Sequence, residues 1–286
     1  MSQIIFTMNN VVQNSYNNEM VYDLPVSANF TGCEVALTQA TLFYCWFNIS
    51  ASTYNNNTFS YSWLNSAGTG YDLFQIVIPD GIYSIQQIYE YAQYVMIENN
   101  HYATQTNSDG STSNIFYWDM VVNETAYAIQ VNTFNVATTA PTGVSSYQFN
   151  PPTVQFNPLI TFPSNFNNIV GFAANYTTTE SNAGTTLSFT SSMAPQVQPS
   201  PSLLLSVSGC NNKYNTDPSI LYCLSPTVSV GAQITANPYP MFSPMLGGIY
   251  SQIRLRWLNA SYKPIPLADP NQTIILTIRK IGQTST

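Results

Sequence analysis

The sequence predicts an all-β fold: an antiparallel β-sandwich of single jelly-roll type with one main covering helix over about residues 84–99. Three observations lead there. Apolar stretches rich in β-branched and aromatic residues recur at short spacing, separated by clusters of Asn, Gly, Ser and Pro. Hydrophobic residues make up 44% and aromatic residues 14% of the 286, enough to bury one large core or a core with an inserted subdomain. Charged residues are only 7%, against about 25% in ordinary globular domains, so amides and hydroxyls must cover the surface.

In chain order, the strand signals are Ile4–Met8, Glu34–Phe47, Phe59–Trp63, Leu73–Ile78, Phe116–Val122, Ala126–Val131, Leu203–Val207, Ile253–Trp257 and Ile274–Ile278. Several alternate with period two. Ile253, Leu255 and Trp257 share one face while Arg254 and Arg256 point the other way, and Ile274, Leu276 and Ile278 likewise share a face. One helix interrupts the strands. Ser84 stands as N-cap with Gln87 three residues on, a capping box, and Ile85, Ile88, Tyr89, Ala92, Val95 and Met96 follow helical spacing. A second, shorter helix is expected from Ser164 to Gly171. Residues 104–113, 137–146 and 191–202 read as long surface loops. The chain is expected to form one domain over 1–286, with residues 103–160 as a candidate insertion within it. Trp46, Trp63, Trp118 and Trp257 fall in strand segments, where aromatic residues fill the core.

Charge is segregated along the chain. Through Asn212 there are eleven acids and no Lys or Arg, and all six basic residues, with two acids, lie at or beyond Lys213. A duplex-binding surface is therefore excluded before Lys213, because counterion release needs clustered Lys and Arg. Nucleic acid is left with the basic C-terminal part alone. No apolar run is long enough to span a bilayer, and the N-terminal residues do not read as a secretory signal. Cys33, Cys45, Cys210 and Cys223 form no CxxC pair and read as buried free thiols. The seven Asn-x-Ser/Thr sequons are about what an Asn-rich and Ser/Thr-rich chain produces by chance.

Signals of catalysis are thin. His101, the only histidine, lies just past the main helix and is expected to be exposed at its end. The acids are scattered and match no calcium loop, and no phosphate-binding or nucleophile-elbow motif occurs. No enzyme, cofactor or metal is expected. Asn, Tyr and Trp are also the residues of carbohydrate-binding sandwiches, which leaves a lectin- or adhesin-like module as the alternative function. A glycoside hydrolase would need two neighbouring carboxylates that nothing in the sequence brings together.

The order of segments resembles a known family. An early strand ends in Tyr22-Asp23-Leu24-Pro25 and leads to Gly32–Ser50. Then come Ile76–Ala92, with its Pro79-Asp80-Gly81 turn before the helix, and a short helix ending Asn168–Phe172. Pro195–Cys210, Ser219–Pro226 and the closing stretch Met245–Lys280 follow. This succession is similar to that of the minor capsid, or penton, proteins of virophages and polinton-like viruses. The turn at Asn259-Ala260-Ser261-Tyr262 stands where that family has Asp and Gly. The resemblance implies a single jelly-roll structural protein without catalytic activity, closing a C-terminal hairpin (Tyr250–Trp257 with Thr273–Lys280). It implies a homopentamer at the icosahedral five-fold vertex, flanked by a double-jelly-roll major capsid protein, assembled in the host cytoplasm and carried in the virion. A capsid cement protein is the alternative within the same class. Arg254, Arg256, Arg279 and Lys280 are the candidate intersubunit or inward-facing contacts.

Overall fold

The computed structural model describes residues 1–14, 16–181 and 183–282. The fold is mostly β, built from several antiparallel sheets, as the alternating pattern predicts. Nineteen strands and two α-helices, numbered in chain order, occur among the described residues. They divide into two compact units: unit 1 is Met1–Phe47 with Ser200–Thr286, and unit 2 is Asn48–Pro199.

Unit 1 contributes β1 (Ser2–Phe6), β2 (Glu19–Asn29) and β3 (Cys33–Phe43) before the chain enters unit 2. After unit 2 come β14 (Leu203–Val207), β15 (Ile220–Leu224), β16 (Gln233–Ala236), β17 (Ser243–Pro244), β18 (Ile249–Leu258) and β19 (Thr273–Lys280). One sheet runs β1-β19-β3-β16, with β17 also on β3; the other runs β15-β14-β18-β2. The two sheets interleave early and late strands, the interdigitated order of an eight-stranded jelly roll. Alternation supplies the inner faces. Phe6, Val35, Leu37, Leu42, Ile274 and Leu276 are buried on one sheet; Met20, Leu203, Leu205, Ile253, Leu255 and Trp257 on the other. Each such side chain stabilises by about 1.5–3 kcal/mol relative to exposure.

Two expectations change in unit 1. The segments around β18 and β19 form no hairpin. The turn at Asn259–Tyr262 does reverse the chain, with Asn259 Oδ1 accepting from the backbone of Ser261 and Lys263 and Tyr262 at φ 59°. After a single bridge, Leu258 to Pro264, the chain crosses to the other sheet. Hence β18 pairs with β14 and β2, and β19 with β1 and β3. The physical reason is that each strand carries one apolar face, and pairing in opposite sheets buries both faces against each other. Second, β2 does not end at Pro25 but runs to Asn29 through a bulge. Asp23 pairs with Gln252 and Ala28 with Tyr250, so Leu24–Ser27 leave the ladder. Proline has no N–H to give the ladder, and at a bulge in an edge strand none is needed.

Unit 2 contains β4 (Thr58–Leu64), β5 (Tyr71–Val77), α1 (Ile85–Glu98), β6 (Ala103–Thr106), β7 (Thr112–Ile115), β8 (Trp118–Asn123) and β9 (Ala128–Thr133). It continues with β10 (Ser146–Tyr147), β11 (Leu159–Phe162), α2 (Asn167–Val170), β12 (Tyr176–Thr177) and β13 (Leu187–Thr190). Its sheets are β12-β11-β4-β5, β13-β9-β8 and β10-β6-β7. The main helix begins as the capping box predicts. The Ser84 amide donates to Gln87 Oε1 (2.8 Å) and the Gln87 amide to Ser84 Oγ (3.2 Å). Ile85, Ile88, Tyr89, Ala92 and Met96 are buried on one face, and the helix lies against β8, where Tyr89 donates to the Trp118 carbonyl (2.7 Å). The core is aromatic, with Phe59, Phe162, Phe166 and Phe172 packed ring on ring.

The second helix is shorter than expected, since its first turn closes on Pro163 and regular pairing starts only at Asn167. Its end is fixed by Gly171 at φ 74°. A Cβ there would come within 2.2 Å of the Met193 carbonyl oxygen, which is backbone and cannot swing away. Gly171→Ala combines a left-handed penalty of about 1–2 kcal/mol with this collision. A loss of about 3 kcal/mol or more is expected in the unfolding of unit 2. Denaturant titration followed by aromatic near-UV circular dichroism checks it, and an unchanged midpoint would refute the close approach.

Candidate functional site

The four basic residues singled out from the sequence do not form one patch. Arg254 and Arg256 lie on the outer face of β18, and Arg279 and Lys280 end β19 in the other sheet. The three arginines find their partners in the acidic N-terminal part. Arg256 stands opposite Glu19 on β2 and its Nε meets Glu19 Oε2 at 3.0 Å; Arg254 Nη1 meets Glu19 Oε1 at 3.0 Å. One carboxylate is thus held by two guanidinium groups whose side chains remain 41% and 45% exposed. Arg279 stands opposite Glu34 on β3, with Nε at 2.6 Å from Oε1, and its guanidinium lies 3.6 Å above the Phe242 ring. The exposed Arg254 and Arg256 pairs with Glu19 contribute at most about 1 kcal/mol each.

The jelly-roll order explains the pairing. It lays the late strands β18 and β19 beside the early strands β2 and β3, so a segregation along the chain is neutralised within unit 1. That unit holds six bases and five acids, a net of +1, while unit 2 has eight acids and neither Lys nor Arg, a net of −8.

The lateral edges of unit 1 carry features that the sequence pattern did not single out. At the β1/β2 edge the β2 bulge presents Val26 (80% exposed), and Ile249 (77%) stands close by in β18, paired with Asn29. At the β15/β16 edge the link between β16 and β17 presents Tyr239 (89%) and Met241 (80%). Period-two alternation could not reveal these residues, because they sit in a bulge, at a strand start and in a loop.

The remaining sequence candidates resolve as follows. All four tryptophans are buried, leaving none as a free stacking platform. The Trp46 indole donates to the Ser200 carbonyl (2.9 Å) and that of Trp257 to Gln272 Oε1 (2.8 Å). Cys33, Cys45 and Cys210 are buried free thiols; Cys223 is exposed, because it lies on an outward position of the edge strand β15. Asn48, Asn56 and Asn259, three of the sequon asparagines, are buried. His101 corrects an expectation. It is not an exposed helix end but buried at 8% exposure, stacked on Trp63 (4.5 Å between centroids, 7° between planes) and edge-on to Phe74. Its Nδ1 lies 2.8 Å from the Tyr61 hydroxyl. Burial lowers its pKa from the usual 6.5 to about 4, so the ring is neutral at physiological pH. Chain direction decided this. The Met96 carbonyl takes the His101 amide, folding the segment back under the helix end and turning the ring inward. Among the described residues no cluster of His, Cys, Asp and Glu could hold a metal ion.

No protein-family model matches the sequence, and no curated protein does. Among solved structures the chain is similar to a crystal structure of the mavirus penton protein, at 8% identity and a TM-score of 0.44, covering 98% of this chain and 100% of that one. No helix among the described residues is long and apolar enough to cross a membrane.

Proposed function

We propose that this chain is a structural capsid protein, the penton of an icosahedral particle, and that it assembles as a ring of five at the vertex. The observation that carries this reading is the jelly roll of unit 1 with different exposed apolar residues on its two lateral edges. An edge bearing Val26 and Ile249 and an opposite edge bearing Tyr239 and Met241 are not self-complementary in the way a two-fold interface requires. They suit a heterologous contact, which closes a ring when the rotation allows it. The proline-bearing bulge in β2 and the shortness of β1 keep the β1/β2 edge from extending a sheet without limit. The order of sequence segments described above points the same way.

In this reading the chain is one capsid protomer, unit 1 being its jelly-roll body. Residues 48–199, with 103–160 in their middle, are an insertion between the third and fourth strands of that body. The partners are other copies of the chain and the double-jelly-roll protein that forms the surrounding capsomers. Glu19 offers one charge to two guanidinium groups, so Arg254 and Arg256 keep a net positive charge for an acidic neighbour, and Lys280 is a further candidate. Arg279, already paired with Glu34 and stacked on Phe242, is more constrained. No catalytic residue is assigned.

Light scattering on the purified chain tests the reading. A mass five times 31.7 kDa is expected, alone or when the capsomer protein is added. Val26→Lys with Ile249→Lys is expected to return the protein to folded monomers that keep the β circular dichroism of the wild type, because both residues are exposed. A wild-type chain that stays monomeric at high concentration and with the capsomer protein would overturn the assignment.

A further inference from the structure

Unit 2 contains a groove of about 490 Å³ whose walls come from β4, β5, the end of α1 and residues 148–156. That volume lies within the range of small-molecule sites. Half-buried Phe74 and Phe149 supply rings to the groove, with Trp63 buried behind them. Trp63 and Phe149 meet edge to face (5.0 Å), which holds these surfaces rigid. Polar groups surround the rings: the amides of Asn100, Gln148 and Asn150 and the carboxylate of Asp72, all four exposed, together with His101.

His101 points to a ligand independently of the groove's shape. It is more than nine-tenths buried, its Nδ1 is held by Tyr61, and the residue lines the groove. A neutral imidazole thus offers the groove one hydrogen-bonding nitrogen, fixed by ring stacking and by the tyrosine behind it.

We propose that this groove binds a neutral saccharide unit. A sugar ring has an apolar C–H face suited to aromatic rings, and hydroxyls that both donate to and accept from amides, a carboxylate and an imidazole nitrogen. Charge decides the class. With no Lys or Arg in the whole unit and Asp72 in the wall, phosphate, sulfate and carboxylate ligands meet repulsion and no counter-charge. This inference is independent of the assembly state, since it concerns unit 2 alone.

His101 is the chain's only histidine, so its imidazole resonances in an NMR spectrum of the full-length protein report on this groove without assignment ambiguity. The probes are galactose, glucose, mannose, fucose and N-acetylglucosamine, each also as its methyl glycoside, with sialyllactose and a sulfated disaccharide as acidic comparisons. At least one neutral sugar is expected to shift the His101 signals saturably, with half-saturation below about 10 mM. Binding of the methyl glycoside assigns the groove to the end of a glycan chain, and binding of the reducing sugar alone to a free sugar. Asp72→Ala with Asn150→Ala, both at exposed positions, is expected to weaken binding at least about tenfold while leaving the melting temperature in place. No saturable shift with any neutral sugar, equal binding by the double variant, or equal or stronger binding of the acidic glycans would each overturn the proposal.

Discussion

Excising residues 48–199 and joining Phe47 to Ser200 through a few glycine and serine residues is expected to leave unit 1 folded, with its β circular dichroism and a cooperative unfolding transition. The junction is already closed inside the unit. The Trp46 indole donates to the Ser200 carbonyl at 2.9 Å, and the Phe47 amide to Pro266 at 3.1 Å. A short linker therefore spans the ends at a small loop-closure cost, which grows only slowly with length. All eight jelly-roll strands and both inner faces remain. The complementary fragment 48–199 is expected to fold as well, because its own ends meet. Asn48 Nδ2 donates to the Val197 carbonyl (2.8 Å) and to that of Tyr83 (2.7 Å). Denaturant unfolding of the two fragments and the intact chain decides the matter. Two cooperative fragments are expected, and an unfolded unit 1 after excision would show that the jelly roll depends on the insertion.

Acid is expected to destabilise unit 2 through a single side chain. The His101 pKa is about 4 in the folded chain, against an ordinary 6.5. Between those values the unfolded chain takes up a proton that the native ring refuses, so stability rises with pH across this window. It is whole above about pH 6.5 and lost as pH falls to about 4, with a span of about 3 kcal/mol. Tyr61 remains protonated throughout, and the only carboxylate in the groove wall is the exposed Asp72. The other acids of unit 2 also begin to titrate near the bottom of the window, so the comparison must be with a variant. In His101→Asn an amide atom falls near the position of Nδ1 and keeps a partner for Tyr61. It is expected to be less stable at pH 7, because of the lost ring packing, yet to lose about 3 kcal/mol less between pH 6.5 and 4. Parallel curves for the two proteins would refute the assignment.

Some of this was legible from residues a few positions apart. The strands at Ile253–Trp257 and Ile274–Ile278 were visible because period-two alternation is a property of neighbouring side chains. The start of α1 was visible because Ser84 and Gln87 satisfy each other's backbone across one turn. The short strands β6, β7, β10, β12 and β16 gave no such signal; they are polar or only two to four residues long, and their pairing partner defines them. The burial of His101 is hidden for a related reason. Its position after the helix suggests exposure, whereas burial depends on Trp63 and Phe74, which arrive from strands far earlier in the chain.

Composition and short-range pattern are enough to specify a β structure with one well-capped helix, a Trp-filled core and no basic surface before Lys213. Those properties depend on composition and on interactions within a turn or a strand. Long-range packing places β18 and β19 in opposite sheets, sets Glu19 and Glu34 against the three arginines, and makes residues 48–199 an acidic unit of their own. Partners such as Glu19 and Arg256, 237 positions apart, are selected by which apolar faces can be buried together. That choice is made by the whole chain at once, and no local pattern encodes it.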